Sequence, residues 1–356
     1  MWTRENTPFA SSGTCHPAAP AGACNITHRS TPALRFRSDA LLLLAALIWG
    51  SAFVPQRLAA AHLGAFLFNG LRFLLGGLIL LPSIYRVTGV GSFHPDGAPA
   101  QRVAATVESE RYRRRRWLRV KRAATGTARS SFCRWASIAG ILLVGASVCQ
   151  QAGMEYTTAG NAGFLTGLYV VLVPFVMLLG WRQRVGWQSW AGAAIATAGV
   201  FLLGVDDHFR IHPGDGLELC GAVLWALHVV IVGRAVRQLD VFLFSVGQYF
   251  VAGALGLLIG LVLERQTLPG LSDCWWAVVY VGVLSVAGGY TLQALGQKHA
   301  PAADAAIILS MEAVFAALFG YLFLNELLSS RQLLGCVLIL AAIAVVQFKT
   351  EGSPCA

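Results

Sequence analysis

Two ionisable side chains stand where the sequence is otherwise apolar. Glu312 lies within SMEAVFAALFGYLFLNE (310–326), a run that ends on a second carboxylate, Glu326, and Arg72 lies within GLRFLLGGLILL (70–81). A charge at the centre of an apolar helix costs on the order of 2.5–3.5 kcal/mol on insertion scales, so each of these groups needs a partner, a cavity or a ligand. A low dielectric favours the neutral form of a carboxylic acid, which suits a group that takes up and releases a proton. Glu312 is therefore a candidate for proton coupling or for holding a substrate amine. The plain alternative is a structural carboxyl bonded to backbone or hydroxyl groups. A guanidinium stays charged, so Arg72 is a candidate contact for a substrate carboxylate, or the direct partner of Glu312. Its alternative is snorkelling to the headgroups.

Other polar residues recur in the same apolar surroundings. His228 follows Trp225 by one turn, and a membrane histidine can relay protons or simply bond to a neighbour. Trp49 and Trp225 sit away from the interfacial belts where tryptophan collects, and suit either a cavity wall or core packing. Gln150, Gln293, Tyr169 and Tyr290 can orient a polar solute or hold helices together. Metal chemistry has no support. The eight cysteines show no CxxC spacing and read as small packing residues. The P-loop, HExxH and GxSxG motifs are missing, and no cofactor is expected.

The elements that must position these groups are membrane-length. The chain has 356 residues, 56% hydrophobic and 12% charged, against roughly 25% charged in soluble domains. Its apolar residues fall in blocks of about twenty, the length that crosses a bilayer as a helix. Ten such blocks are read, at about 40–58, 65–85, 135–155, 160–181, 187–205, 216–234, 242–263, 274–296, 303–324 and 329–348. The expected fold is an all-α membrane protein. Residues 1–38 read as a disordered polar tail and not as a signal peptide, and 349–356 as a C-terminal tail. Pro55, Pro82 and Pro174 lie in or near spans. The pairs Gly163/Gly167, Gly256/Gly260 and Ala316/Gly320 offer small-residue packing faces.

Internal repetition organises the spans. Shifted by 143 residues, 138–203 aligns without a gap on 281–346: Gly145 meets Gly288, Gln150 meets Gln293, Tyr169 meets Glu312, and Gln183 meets Glu326. Shifted by 176, the first two blocks align on the sixth and seventh: Trp49 meets Trp225, and Arg72 meets Gln248. The difference is an Arg-rich insertion at 87–134, present in the first copy only. The units are 39–205 and 212–348, with five spans each. An odd number inverts the second unit, the pattern of carriers whose substrate site lies near midplane between repeats.

The net charge of +10 is concentrated, with eight Lys/Arg in RYRRRRWLRVKR (111–122). With a cytoplasmic N-terminus, the inward segments carry 22 Lys/Arg and the outward ones 4; without the large loop the split is 10 to 4. The positive-inside rule then puts both termini in the cytoplasm, and the basic run on anionic headgroups. Nucleic acid is not an expected partner.

LIWGSAFV (47–54), GLRFLLGGLILL (70–81), TTAGNAGFLTGLYVVLVPF (157–175), LHVVIVGRAVR (227–237) and the stretch from Ala300 to Leu340 resemble the EamA family of the drug/metabolite transporter superfamily. The resemblance covers roughly 39–348 and implies ten spans in two five-span repeats, in a secondary transporter commonly exporting amino acids or other metabolites with protons. The family usually reads Glu-Pro where this chain has Glu312-Ala313, which leaves the expected kink open. The resulting expectation is a multi-pass carrier of the bacterial plasma membrane, exporting small polar, amino-acid-like metabolites by alternating access. A homodimer is left open. The rivals are a lipid-modifying membrane enzyme, and a sensor or scaffold that binds partners through the basic loop.

Overall fold

A computed structural model describes residues 32–85, 126–156, 164–204, 213–324 and 328–347. Among the described residues every regular element is helical. The helices are α1 (Pro32–Ala60), α2 (Ala65–Leu80), α3 (Gly126–Tyr156), α4 (Tyr169–Trp181), α5 (Trp187–Gly204), α6 (Asp215–Gln238) and α7 (Val241–Leu263). They continue with α8, a composite within Arg265–Gln297, then α9, made of Ala302–Leu309 and Met311–Leu324, and α10 (Ser330–Gln347). Nine helical stretches among the described residues are long and apolar enough to cross a membrane, and a tenth, Trp187–Leu203, is apolar but shorter. The protein is an integral membrane protein.

Two boundaries differ from the sequence reading. The tail expected over 1–38 is already helical from Pro32. Proline is favoured in the first helical turn, Ala-Leu-Arg are good helix formers, and Arg35 Nη2 donates to the Val346 carbonyl at 3.0 Å, tying α1 to the end of α10. The insertion expected over 87–134 likewise runs into helix, since α3 begins at Gly126. Its added first turns stay polar, and the Arg134 guanidinium stacks 5.7 Å from the Trp135 ring centre. The tail before residue 32, the basic run at 111–122, Gly163, Glu326 and the C-terminal tail lie outside the described residues.

Small residues set the packing. Gly70 on α2 meets the backbone of Gly256 and Leu257 on α7, where a side chain would have no room. Along the same seam a Cβ on Gly77 would touch Phe250, and one on Gly253 would touch Leu74. On the far side α5 crosses α10 through Gly199, whose Cβ would stand 2.7 Å from the Gly335 carbonyl oxygen. Gly192 lies against Ala342 and Val346 on the same helix. Gly50 on α1 receives Phe315 and Ala316 of α9. Each seam joins a helix from before residue 205 to one from after residue 212.

Three irregularities interrupt this frame. The helix entering α4 loses its regular pattern at Leu168, where Leu168 N–H bonds to the Leu165 carbonyl three residues back. In α9 the break falls at Ser310, whose hydroxyl donates to the Ile307 carbonyl at 2.7 Å while Ala313 N–H turns to the Ser310 carbonyl. Serine back-bonding of this kind competes with the helix ladder, so α9 breaks just before Glu312 although Ala313 replaces the proline. In α8, Val281–Tyr290 forms a π-helix between two α-helical segments.

Candidate substrate-binding cavity

The cavity is assembled from short helical faces. On α1, Trp49, Phe53 and Gln56 follow at i, i+4 and i+7 and so share one face. Arg72 comes from α2, Gln150 from α3, Trp225 and Val229 from α6. Thr166 and Tyr169 flank the Leu168 break, and Glu312 follows the Ser310 break. From α8 come Ser285, Tyr290 and Gln293. Ser285 and Tyr290 are five residues apart, which on an α-helix would separate them by about 140°. The π-helix, with its i→i+5 bonding, lets both reach the same space. The empty volume is about 480 Å³ when the open mouth is included.

Tyr290 is the hub of the apolar wall. Its ring centre lies 4.8 Å from Trp49, 5.9 Å from Trp225 in a stacked arrangement, and 6.0 Å from Phe73. The Trp49 indole N–H donates to the Ser285 carbonyl at 3.4 Å, and the close approach of Trp49 is possible because Gly289 carries no side chain. Such a wall is apolar on its faces and polar at its edges.

The two ionisable groups meet this cavity differently. Arg72 is 1% exposed, its Nη1 donates to Gln56 Oε1 at 2.7 Å, and its guanidinium lies 5.0 Å from the Phe73 ring and 5.4 Å from Phe68. Gln56 is held in turn: its amide donates to Ala52, and its backbone carbonyl accepts from Gln151. Glu312 is only half-buried because it borders the cavity, and it has the Tyr169 hydroxyl beside it. Among the described residues no ion pair joins Arg72 to Glu312. The pairing considered from the sequence is not made, because Gln56 has taken Arg72. A guanidinium and a carboxyl group border one space without bonding to each other.

Of the residues singled out in the sequence, Glu312, Arg72, Trp49, Trp225, Gln150, Gln293, Tyr169 and Tyr290 line the cavity. His228 does not line it. It is fully buried behind the wall, bonded through Nε2 to Gln248 Oε1 at 3.1 Å, with its ring edge-on to Trp225 and Tyr290. Phe319, farther along the same segment of α9, stacks on Phe323 at 5.9 Å. Phe53, Gln56, Thr166, Val229 and Ser285 were missed. Extending the Trp49 face by two turns finds Phe53 and Gln56, whereas Ser285 needs the π-helix. Four buried polar atoms of cavity residues have no protein hydrogen-bond partner: Arg72 Nε, the Tyr169 hydroxyl, Trp225 Nε1 and Gln293 Oε1. Buried polar atoms are rarely left so, and here they can meet a polar solute.

Apolar membrane helices enclosing an amphipathic central cavity suit a membrane transporter, and the family match assigns the chain to that class. Residues 36–98, 116–205 and 212–348 match the EamA-like transporter family, and the chain belongs to that family, within the drug/metabolite transporter superfamily. It is 26% identical over 315 residues to an uncharacterized transporter of Archaeoglobus fulgidus, covering 88% of this chain and 87% of that one. It is also 27% identical over 232 residues to the chloroplastic WAT1-related protein At3g02690 of Arabidopsis thaliana, over 60% and 55% of the two chains. A solved crystal structure superposes with a TM-score of 0.64 at 19% identity, covering 87% of this chain and 96% of the other. That last likeness is one of fold.

Proposed function

We propose that this chain is a secondary carrier exporting small zwitterionic metabolites, amino-acid-like in charge layout, from the bacterial cytoplasm by alternating access coupled to protons. The observation that carries the reading is a single cavity bordered by Arg72 and by Glu312, with no ion pair between them. A guanidinium held by Gln56 suits a substrate carboxylate. A carboxyl open to the same space suits either the substrate amine or a proton, and exchange between the two gives coupling.

The architecture proposed around it is ten spans in two inverted repeats, with both termini cytoplasmic. Reciprocal contacts support the repeats. The pair Gly77–Phe250 becomes Leu74–Gly253 when each partner is replaced by its repeat equivalent, and Gly199–Gly335 becomes Gly192–Ala342. Gly145–Leu224 becomes Ile48–Gly288 in the same way. Such exchange is the signature of a two-fold relation. The breaks at Leu168 and Ser310 come one and two residues before Tyr169 and Glu312, which are repeat equivalents. Discontinuous helices at the midplane are the usual means by which inverted-repeat carriers present backbone and side chains to a solute. The charge distribution supports the orientation.

The test is uptake into proteoliposomes across a panel of amino acids and related metabolites, with and without a pH gradient, for wild type and Glu312→Gln. Wild type is expected to accumulate at least one zwitterion faster under a gradient, and the variant to lose that gradient response. A variant matching wild type in both conditions overturns the coupling role. A panel in which nothing moves counts against the carrier itself.

A further inference from the structure

A second carboxyl is buried beside the cavity and plays no part in the reading so far. Glu218, in the first turn of α6, is fully buried. The Thr166 hydroxyl donates to its Oε2 at 2.7 Å, and its Oε1 has no protein partner. The residue is not there by accident of an open surface. The neighbouring helix α3 carries Gly153 at the contact, and a Cβ on that glycine would stand 2.6 Å from Glu218 Oε1. Room has been left for the carboxyl between α3 and α6, while no basic side chain forms an ion pair with it among the described residues. Titratable groups around it include Asp215 and Cys220 on α6 and Cys149 on α3, and Tyr169 follows Thr166 by three residues.

Thr166 is the link. It borders the cavity on one side and bonds to Glu218 on the other. A hydroxyl can accept a proton on its lone pair while donating its own, so it passes a proton without changing its state. The geometry points to Glu218 as a second proton-binding site of the carrier, exchanging protons with the cavity through the Thr166 hydroxyl. In the loading step a hydronium in the cavity gives a proton to Thr166 Oγ1 as the original hydroxyl proton moves to Glu218 Oε2. The carboxylate becomes a carboxylic acid, water is left in the cavity, and the threonine ends as it began. Unloading reverses the step. In the proposed orientation Glu218 lies between the cavity and the outward face, so it serves the outward half of the proton route and Glu312 serves the cavity centre. This inference rests on the proton-coupled reading above.

The experiment does not need a substrate. The full chain is placed in lipid nanodiscs, and infrared difference spectra are recorded between acid and alkaline buffer in the carboxylic C=O region, for wild type, Glu312→Gln, Glu218→Gln and Thr166→Val. Among the titrating carboxyl bands of wild type, one is expected to be lost in Glu312→Gln and a different one in Glu218→Gln, both at the high-frequency end of the region where buried carboxyls absorb apart from the exposed ones. Thr166→Val should keep both bands, shift the Glu218 band, and slow proton exchange, read with a pH dye after a pH jump, on the order of a hundredfold. An unchanged spectrum for Glu218→Gln overturns the site, and an unchanged rate for Thr166→Val overturns the route. In case Glu218→Gln fails to fold, wild type is treated with dicyclohexylcarbodiimide, which modifies protonated carboxyls in apolar surroundings. Labelling at Glu218 supports the site, and its absence while Glu312 is labelled overturns it. Failure of transport in the metabolite panel leaves these readouts intact, so the two readings fail separately.

Discussion

At the scale of single residues, the cavity separates the duties of charge. Arg72 is fixed by a 2.7 Å bond to Gln56 and presents a planar fork, which an ammonium cannot imitate. Arg72→Lys is therefore expected to raise the KM for a zwitterionic substrate by about tenfold or more, the loss of roughly one charged hydrogen bond, while leaving the response to a pH gradient in place. Glu312→Gln should do the opposite, removing the gradient response with a smaller effect on KM. Uptake kinetics at two gradients separate the two. Most of the cavity lining was legible in the sequence because polar residues are scarce in these helices and recur at repeat positions. Glu218 was not legible: it sits three residues into its helix, where a carboxylate reads as an ordinary first-turn residue beside a positive helix end. Nothing in a string of letters says that Gly153 comes close enough to enclose it.

At the scale of elements, the helices were readable from hydrophobic length, but their interruptions were not. A break at Ser310 depends on a hydroxyl choosing the carbonyl three residues back, and Ser310 had no special status among the small residues around it. The π-helix at Val281–Tyr290 is equally silent, since GVLSVAGGY has the composition of any membrane helix. Its presence makes a testable claim. Deleting Ala287 should let α8 relax to α-helical bonding and turn Tyr290 and Gln293 by roughly 100° relative to Ser285. The expected result is a protein with unchanged helix content by circular dichroism that no longer transports. The glycine seams make another. Gly70→Ala forces the α2 and α7 backbones apart, at a cost of about 1–3 kcal/mol, and should lower the thermal unfolding temperature in detergent without a selective effect on any one substrate.

At the scale of the whole molecule, the seams between α2 and α7 and between α5 and α10 behave like the cross-braces of a frame. Each brace is bolted at one end to the first half of the chain and at the other to the second. In the proposed cycle, a frame so braced does not open like a book along the line between its halves. The proposed moving parts are the posts that carry their own breaks, α4 at Leu168 and α9 at Ser310, each break lying within two residues of one that borders the cavity. Pinning a brace should therefore be harmless. Gln332 Nε2 already lies 3.3 Å from the Leu203 carbonyl oxygen, so a cross-link between Leu203→Cys and Gln332→Cys is expected to leave uptake close to the uncross-linked rate. Arrest of uptake by that pin would mean that the halves part company during the cycle. If uptake survives it, the moving load is carried by two bent posts inside a frame that stands still.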